Sequence, residues 1–257
     1  MESGMTGTAP GPAEMPQAAE TPTLSVWQRA IAVFVRTPQA WSGLETRSQW
    51  WFPMIIMMVV GAIFALALFD RALMPMISET WEQQVSEGRM TAQQVDKMED
   101  MMRGPVGKAF TVGQQVIVWP IILLLSALVV WFGVGFVLGT RFRYRLALEV
   151  VAWASLVSIP GQILAGVLAW SRETMKGLHT GFGILVPESD PPTKIQLALG
   201  FFLDSIGPLS IWYLAVVIIG AAALSGAKRR SVAWALGGLY LALMVFFAAM
   251  AAMFSRG

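Results

Sequence analysis

The chain has no cysteine and a single histidine, His179, in 257 residues. That excludes disulfides, zinc–thiolate centres, cysteine nucleophiles and multi-histidine metal sites. Asparagine is absent as well, so there is no N-glycosylation acceptor. Charge is scarce: 13% of residues are Asp, Glu, Lys or Arg, against about 25% in an ordinary soluble domain. The scarcity is uneven. Residues 48–69, 109–140, 150–171, 205–227 and 231–255 carry no formal charge at all. A helix crosses a bilayer with roughly 20 apolar residues. These five stretches, in a chain that is 56% hydrophobic with a mean hydropathy of +0.61, predict an all-α polytopic membrane protein with five transmembrane helices.

Residues 1–23 hold Glu2, Glu14 and Glu20, no basic residue, and four prolines. This reads as a disordered tail rather than a cleavable signal peptide. One membrane domain is expected over 24–254. At its start, Leu24, Trp27, Ile31, Phe34 and Val35 share one helical face, with Arg29 and Arg36 off it. Such a helix suits the membrane interface, and packing on the bundle is the other reading. Thr37-Pro38 ends it. Spans are expected at about 51–69, 113–138, 149–170, 209–224 and 232–254.

A polar loop, 70–111, separates the first two spans. Within it Thr91 and Gln94 form a capping-box pattern that opens a helix at about 92–103, and a second helix is expected around 77–87. The extracytoplasmic loop should therefore be helical. Pro120 should kink span two, and Pro160-Gly161 should break span three near its centre. The loop 171–204 contains His179 and a short amphipathic stretch of Ile195, Ala198, Leu199 and Phe202, which Gly207-Pro208 separates from span four.

Orientation rests on the short loops, because basic residues collect on the cytoplasmic side. Loop 139–149 has three arginines against one glutamate, and turn 226–231 has three basic residues and no acid. The long loops on the other side are net acidic, −2 over 70–111 and −1 over 171–204. The N-terminus is expected in the cytoplasm and the C-terminus outside it. Arginine outnumbers lysine 13 to 5, a bias that hints at a bacterial source and hence an inner membrane.

The second half carries a recognisable pattern. Gly139-Thr-Arg-Phe-Arg-Tyr-Arg-Leu-Ala-Leu-Glu149 leads into Ala152-Trp153 and a mid-span Pro160. Leu203-Asp204 and Ile211-Trp212 are followed by a small-residue span ending at Lys228-Arg229-Arg230. With five spans, an upstream helix ending at Pro38 and the Gly104-Pro105-Val106-Gly107 segment, the chain resembles the bacterial branch of the Yip1 domain family over roughly residues 24–254. The resemblance implies a five-span fold with a cytoplasmic N-terminus. Eukaryotic members act in vesicle trafficking with small GTPases; that role is not carried over, because fold does not fix function.

Candidate functional residues fall into three groups. Arg141, Arg143, Arg145, Lys228, Arg229 and Arg230 sit at the membrane surface, as topology determinants or as contacts for anionic lipid headgroups. Pro160, Gly161 and Gln162 form an intramembrane polar hinge. Glu149 and Asp204 border spans; Asp204 would cap span four and Glu149 would pair with Arg145. No well-buried charge is expected inside a span, which speaks against a proton-coupled pump. Ser126, Ser155 and Ser158 lie in spans while His179 lies in a loop, a poor basis for an intramembrane serine protease. The reading is a non-enzymatic scaffold or partner-binding module in membrane organisation, without metal or cofactor. Its partners would be anionic lipids and a membrane protein or further copies of the chain; no nucleic acid is implied. The alternative is an oligomeric small-molecule or lipid transporter or channel.

Overall fold

Apolar side chains offer the backbone no hydrogen-bond partners, so a segment inside lipid must satisfy its own N–H and C=O groups as a helix. A computed structural model describes residues 24–175, 177–187 and 193–254, and they form helices and connecting turns with no strand. The expected tail at 1–23 lies outside the described residues. Five helical stretches are long and apolar enough to cross a membrane: Trp51–Ser86, Pro105–Val137, Tyr144–Arg172, Pro208–Ser225 and Arg229–Phe254.

Helix α1 (Val26–Val35) begins at a capping box between Ser25 and Gln28. A 3-10 turn at Thr37–Gln39 follows. Helix α2 (Trp51–Leu68) runs through a π-helical turn, Phe69–Leu73, directly into α3 (Met74–Ser86). Helix α4 (Ala92–Arg103) opens with the Thr91–Gln94 capping box. The stretch expected as a polar loop at 70–111 is thus helical almost throughout, a rigid hairpin rather than a linker. Phe69, Met74, Trp81 and Val95 form its own small core.

Helix α5 (Pro105–Trp131) begins eight residues earlier than expected for span two and continues through Pro120 into a π-helical end, Phe132–Val137. Its early start follows from Pro105, which is pre-set for the first helical turn. Gly107 lies so close to α4 that a Cβ there would sit 2.0 Å from the Met102 carbonyl oxygen. Span three comprises α6 (Tyr144–Ser155), a 3-10 turn at Leu156–Ser158 and α7 (Ile159–Arg172). The irregularity therefore falls just ahead of Pro160. Helix α6 is the centre of the bundle: Ala147, Val150, Ala152, Trp153 and Ala154 have no solvent exposure.

Helix α8 (Lys194–Ser205) packs along α10 (Arg229–Phe254), and α9 (Pro208–Ser225) returns antiparallel to α10. At 1.5 Å per residue the 18-residue α9 spans about 27 Å and the 26-residue α10 about 39 Å. The shortfall is made up by α8, which lies beside the outer part of α10 with Phe201 against Phe247. Helix α8 is separated from span four, α9, by a break at Ile206–Gly207.

Candidate functional site

On the N-terminal side, α1 docks through the residue that helical patterning places off its apolar face. Arg29 is 2% exposed, whereas Trp27, Ile31 and Val35 are 65% exposed or more. Trp27, Ile31 and Val35 of the apolar stripe face outward, Leu24 and Phe34 lean on the core, and the helix packs on the bundle through Arg29, Ala32 and Val33. The Arg29 guanidinium donates Nε to Gln49 Oε1 at 3.0 Å and Nη2 to the Ser42 carbonyl at 3.0 Å, and Nη1 to the Ala40 carbonyl. It lies 5.8 Å from the Trp153 ring centroid. Burial pulls its pKa below the usual arginine value; the nearby Glu149 carboxylate opposes that shift and Arg47 adds to it.

Glu149 is fully buried within span three, which corrects the expectation of no buried charge in a span. It does not pair with Arg145. Its Oε1 accepts the Gln49 backbone N–H at 2.7 Å and the Ser48 hydroxyl at 2.9 Å. Oε2 has no hydrogen bond of ordinary geometry. Arg145 instead donates to the Leu44 carbonyl at 3.2 Å and to the Glu45 carbonyl. Both side chains are used to hold segment 40–50 against span three. Arg141, Arg143, Lys228, Arg229 and Arg230 remain exposed on the same side.

On the opposite side, Asp204 does not cap span four. It sits in the last turn of α8, and Gly207 occupies the cap position of α9 without a side-chain bond. Asp204 Oδ2 lies 2.8 Å from His179 Nδ1, and Oδ1 accepts the Gly181 N–H at 3.4 Å. A Cβ on Gly181 would come within 2.3 Å of the Asp204 carbonyl oxygen, and one on Gly207 within 2.8 Å of Gly181 Cα. Loop 178–183 is thereby pressed into the break between α8 and α9.

Between these two ends lies an intramembrane cavity of about 470 Å³. Gln162 and Gly161 line it together with Ser126, Ser155, Ser158 and Tyr213, so the hinge glutamine and all three span serines noted in the sequence meet in one place. Pro160 is exposed and lies outside the lining. Gln162 Nε2 donates to Ser158 Oγ at 3.2 Å, Ser158 donates to the Ser155 carbonyl at 2.7 Å, and Ser155 donates to the Ala152 carbonyl at 2.7 Å. Across the cavity Tyr240 donates to the Ser205 carbonyl at 2.6 Å. The Ser155 and Ser158 hydroxyls are held in helix-bonded positions, and among the described lining residues there is no Asp, Glu, His, Lys or Arg to activate a nucleophile. A second cavity of about 450 Å³, lined by Gln114, Gln115 and apolar side chains, adjoins it at Trp119 and Gln162. Among the described residues no group of three or more His, Cys, Asp or Glu could hold a metal ion.

Sequence reasoning missed Arg29, Gln49 and the His179–Asp204 pair. Nothing in local spacing joins residues 20 to 100 positions apart. One signal was available: an arginine in the middle of a ten-residue helix that is apolar apart from Gln28 requires a partner.

Comparison with known proteins gives one result. The Yip1 domain matches residues 31–251. No curated protein and no solved structure matches.

Proposed function

The chain belongs to the Yip1 domain family, and on that premise we propose that this integral membrane protein is a non-enzymatic scaffold, a module that binds another membrane protein through its α3–α4 hairpin. The observation that carries this reading is the uninterrupted helical run Trp51–Ser86. It makes the hairpin a rigid extension of span one, with its own core around Trp81 and Val95. Lys108 pins the base of the hairpin to Asp70 at 3.0 Å. The outer face of α4 presents Asp96, Lys97 and Asp100 to solvent. A preformed, charged protrusion loses little conformational entropy on binding.

The fold is read as sitting in a bacterial inner membrane with the N-terminus in the cytoplasm. The outward apolar face of α1 then rests in the interface, and the five exposed basic residues meet anionic headgroups. Reporter fusions at turn 226–231 and at the C-terminus test the orientation; a turn found outside the cytoplasm overturns it.

The scaffold reading is tested by affinity purification of the full-length protein in mild detergent, followed by mass spectrometry. A stoichiometric heteromeric partner is expected, lost in the Asp96→Lys/Asp100→Lys double variant. A lone homo-oligomer that carries solute flux in liposomes would instead establish the transporter alternative, which the intramembrane cavity favours.

A further inference from the structure

We propose that the intramembrane cavity is a binding site for an uncharged lipid bearing a free hydroxyl, of the diacylglycerol class. This goes beyond the scaffold reading and does not depend on it.

The first argument is charge. The wall is built from hydroxyls, one amide, the Trp119 indole and apolar side chains such as Met54, Met57 and Ile122, with no charged side chain among the described lining residues. A phosphate or carboxylate placed there would lose its hydration without a counter-ion. A neutral ligand carries no such cost.

The second argument is hydrogen-bond polarity. Along span three the Ser155 and Ser158 hydroxyls spend their hydrogens on the Ala152 and Ser155 carbonyls. Gln162 spends one amide hydrogen on Ser158 Oγ. Tyr240 spends its own on the Ser205 carbonyl. What this row offers to an occupant is lone pairs, including those of the Gln162 carbonyl oxygen. That row calls for an occupant that donates, while Ser126, Ser210, Tyr213 and the Trp119 indole bring further hydrogens to the same cavity, so a hydroxyl, which both donates and accepts, matches the wall.

The third argument is access and shape. The cavity fills the space between span two, at Trp119, Ile122 and Ser126, and span five, at Tyr240. Span five packs on span two chiefly at the π-helical end, where Leu236 closes on Gly133. Ile122 is 47% exposed at the rim, on the face that meets the acyl region of a bilayer. Beyond Gln162 and Trp119 the second cavity continues between Phe64, Leu68 and Phe110, a space that is mainly apolar apart from Thr111, Gln114 and Gln115 and suited to an acyl chain. A polar head at Gln162 with a chain in the neighbouring cavity is the layout an amphiphile requires.

The test is photolabelling of the full-length protein in phosphatidylcholine liposomes. Three probes with the same diazirine acyl chain are compared: diacylglycerol, its hydroxyl-blocked methyl ether, and phosphatidic acid. Diacylglycerol should label peptides of α2, α5 and α7, whose residues line the second cavity, at least fivefold more than either control, and unlabelled diacylglycerol should compete. Gln162→Leu should abolish that preference while the protein keeps its elution volume and Tm. Should Gln162→Leu fail to fold, Ser158→Ala, which removes the hydroxyl that accepts from Gln162, should narrow the preference to below twofold. Equal labelling by the three probes, or labelling confined to the lipid-facing surface, overturns the proposal. Loss of the partner protein in the Asp96→Lys/Asp100→Lys variant leaves these outcomes unchanged, so the two readings fail separately.

Discussion

Gln49 donates its backbone N–H to the Glu149 carboxylate at 2.7 Å, across 100 residues of sequence. Its side-chain oxygen accepts from Arg29 at 3.0 Å. One residue thus joins the N-terminal helix to the most buried helix of the bundle, with both contacts out of water. A buried group left without its partner costs about 1–3 kcal/mol, and more when the group is charged.

Glu149→Leu strands the Gln49 amide and the Ser48 hydroxyl together, and should lower stability by about 2–3 kcal/mol. Glu149→Gln keeps an acceptor oxygen and should lose less than half of that. Thermal unfolding in detergent, followed by tryptophan fluorescence, separates the two. Equal losses would mean that the site needs the charge rather than the acceptor.

Arg29→Met should free α1 rather than unfold the bundle, because its three protein acceptors all lie in segment 40–50. Hydrogen exchange across 26–44 should accelerate at least tenfold while α9 and α10 keep their protection. Uniform acceleration through all five spans would refute a local role.

Gly220 lies beneath Trp41, where a Cβ would come within 2.7 Å of the indole. Trp41 is 2% exposed, so Gly220→Val must either displace it or open α9. Overpacking of this kind costs about 1–3 kcal/mol. Gly238 in α10 has nothing within 4 Å of a Cβ position, and Gly238→Ala should be neutral. Unfolding of the two variants side by side gives the contrast.

The spans were legible because lipid imposes one rule on every residue of a stretch, and charge-free intervals expose it. The α4 boundaries were legible because Thr91 and Gln94 sit three residues apart and cap locally. Tertiary pairing was not. Glu149 had a plausible neighbour in Arg145 four residues away, yet its partners come from 48 and 49, because the chain after α1 folds back over span three. Asp204 looked like a cap for span four because Gly207-Pro208 follows it, but the break at Ile206–Gly207 leaves it in the preceding helix. Gln162 was singled out from sequence as a lone amide beside Pro160; its neighbours Ser155 and Ser158 follow from helical spacing, whereas Ser126 and Tyr213 reach the same cavity only through packing.

The six basic residues proposed for lipid contact should divide into two sets. Arg145 is tied to the Leu44 and Glu45 carbonyls, so Arg145→Gln should lower stability and leave lipid dependence intact. Arg141→Gln/Arg143→Gln should leave stability unchanged and weaken the preference for anionic lipid by about 1 kcal/mol per charge. Native mass spectrometry with phosphatidylglycerol against phosphatidylcholine reads the second quantity. Loss of preference in Arg145→Gln alone would reverse the assignment.

His179 and Asp204 hold loop 178–183 at the break between α8 and α9, with the two side chains 20% and 30% exposed. His179→Ala should raise hydrogen exchange over 177–187 and cost about 1–2 kcal/mol. Gly181→Ala tests the same contact by steric means, since its Cβ would meet the Asp204 carbonyl at 2.3 Å. The backbone has no flexible tip to give way there, so Gly181→Ala should be the more damaging of the two. If Gly181→Ala matches the parent in Tm and exchange while His179→Ala does not, the loop is held by the histidine contact alone and the close packing at the break is incidental.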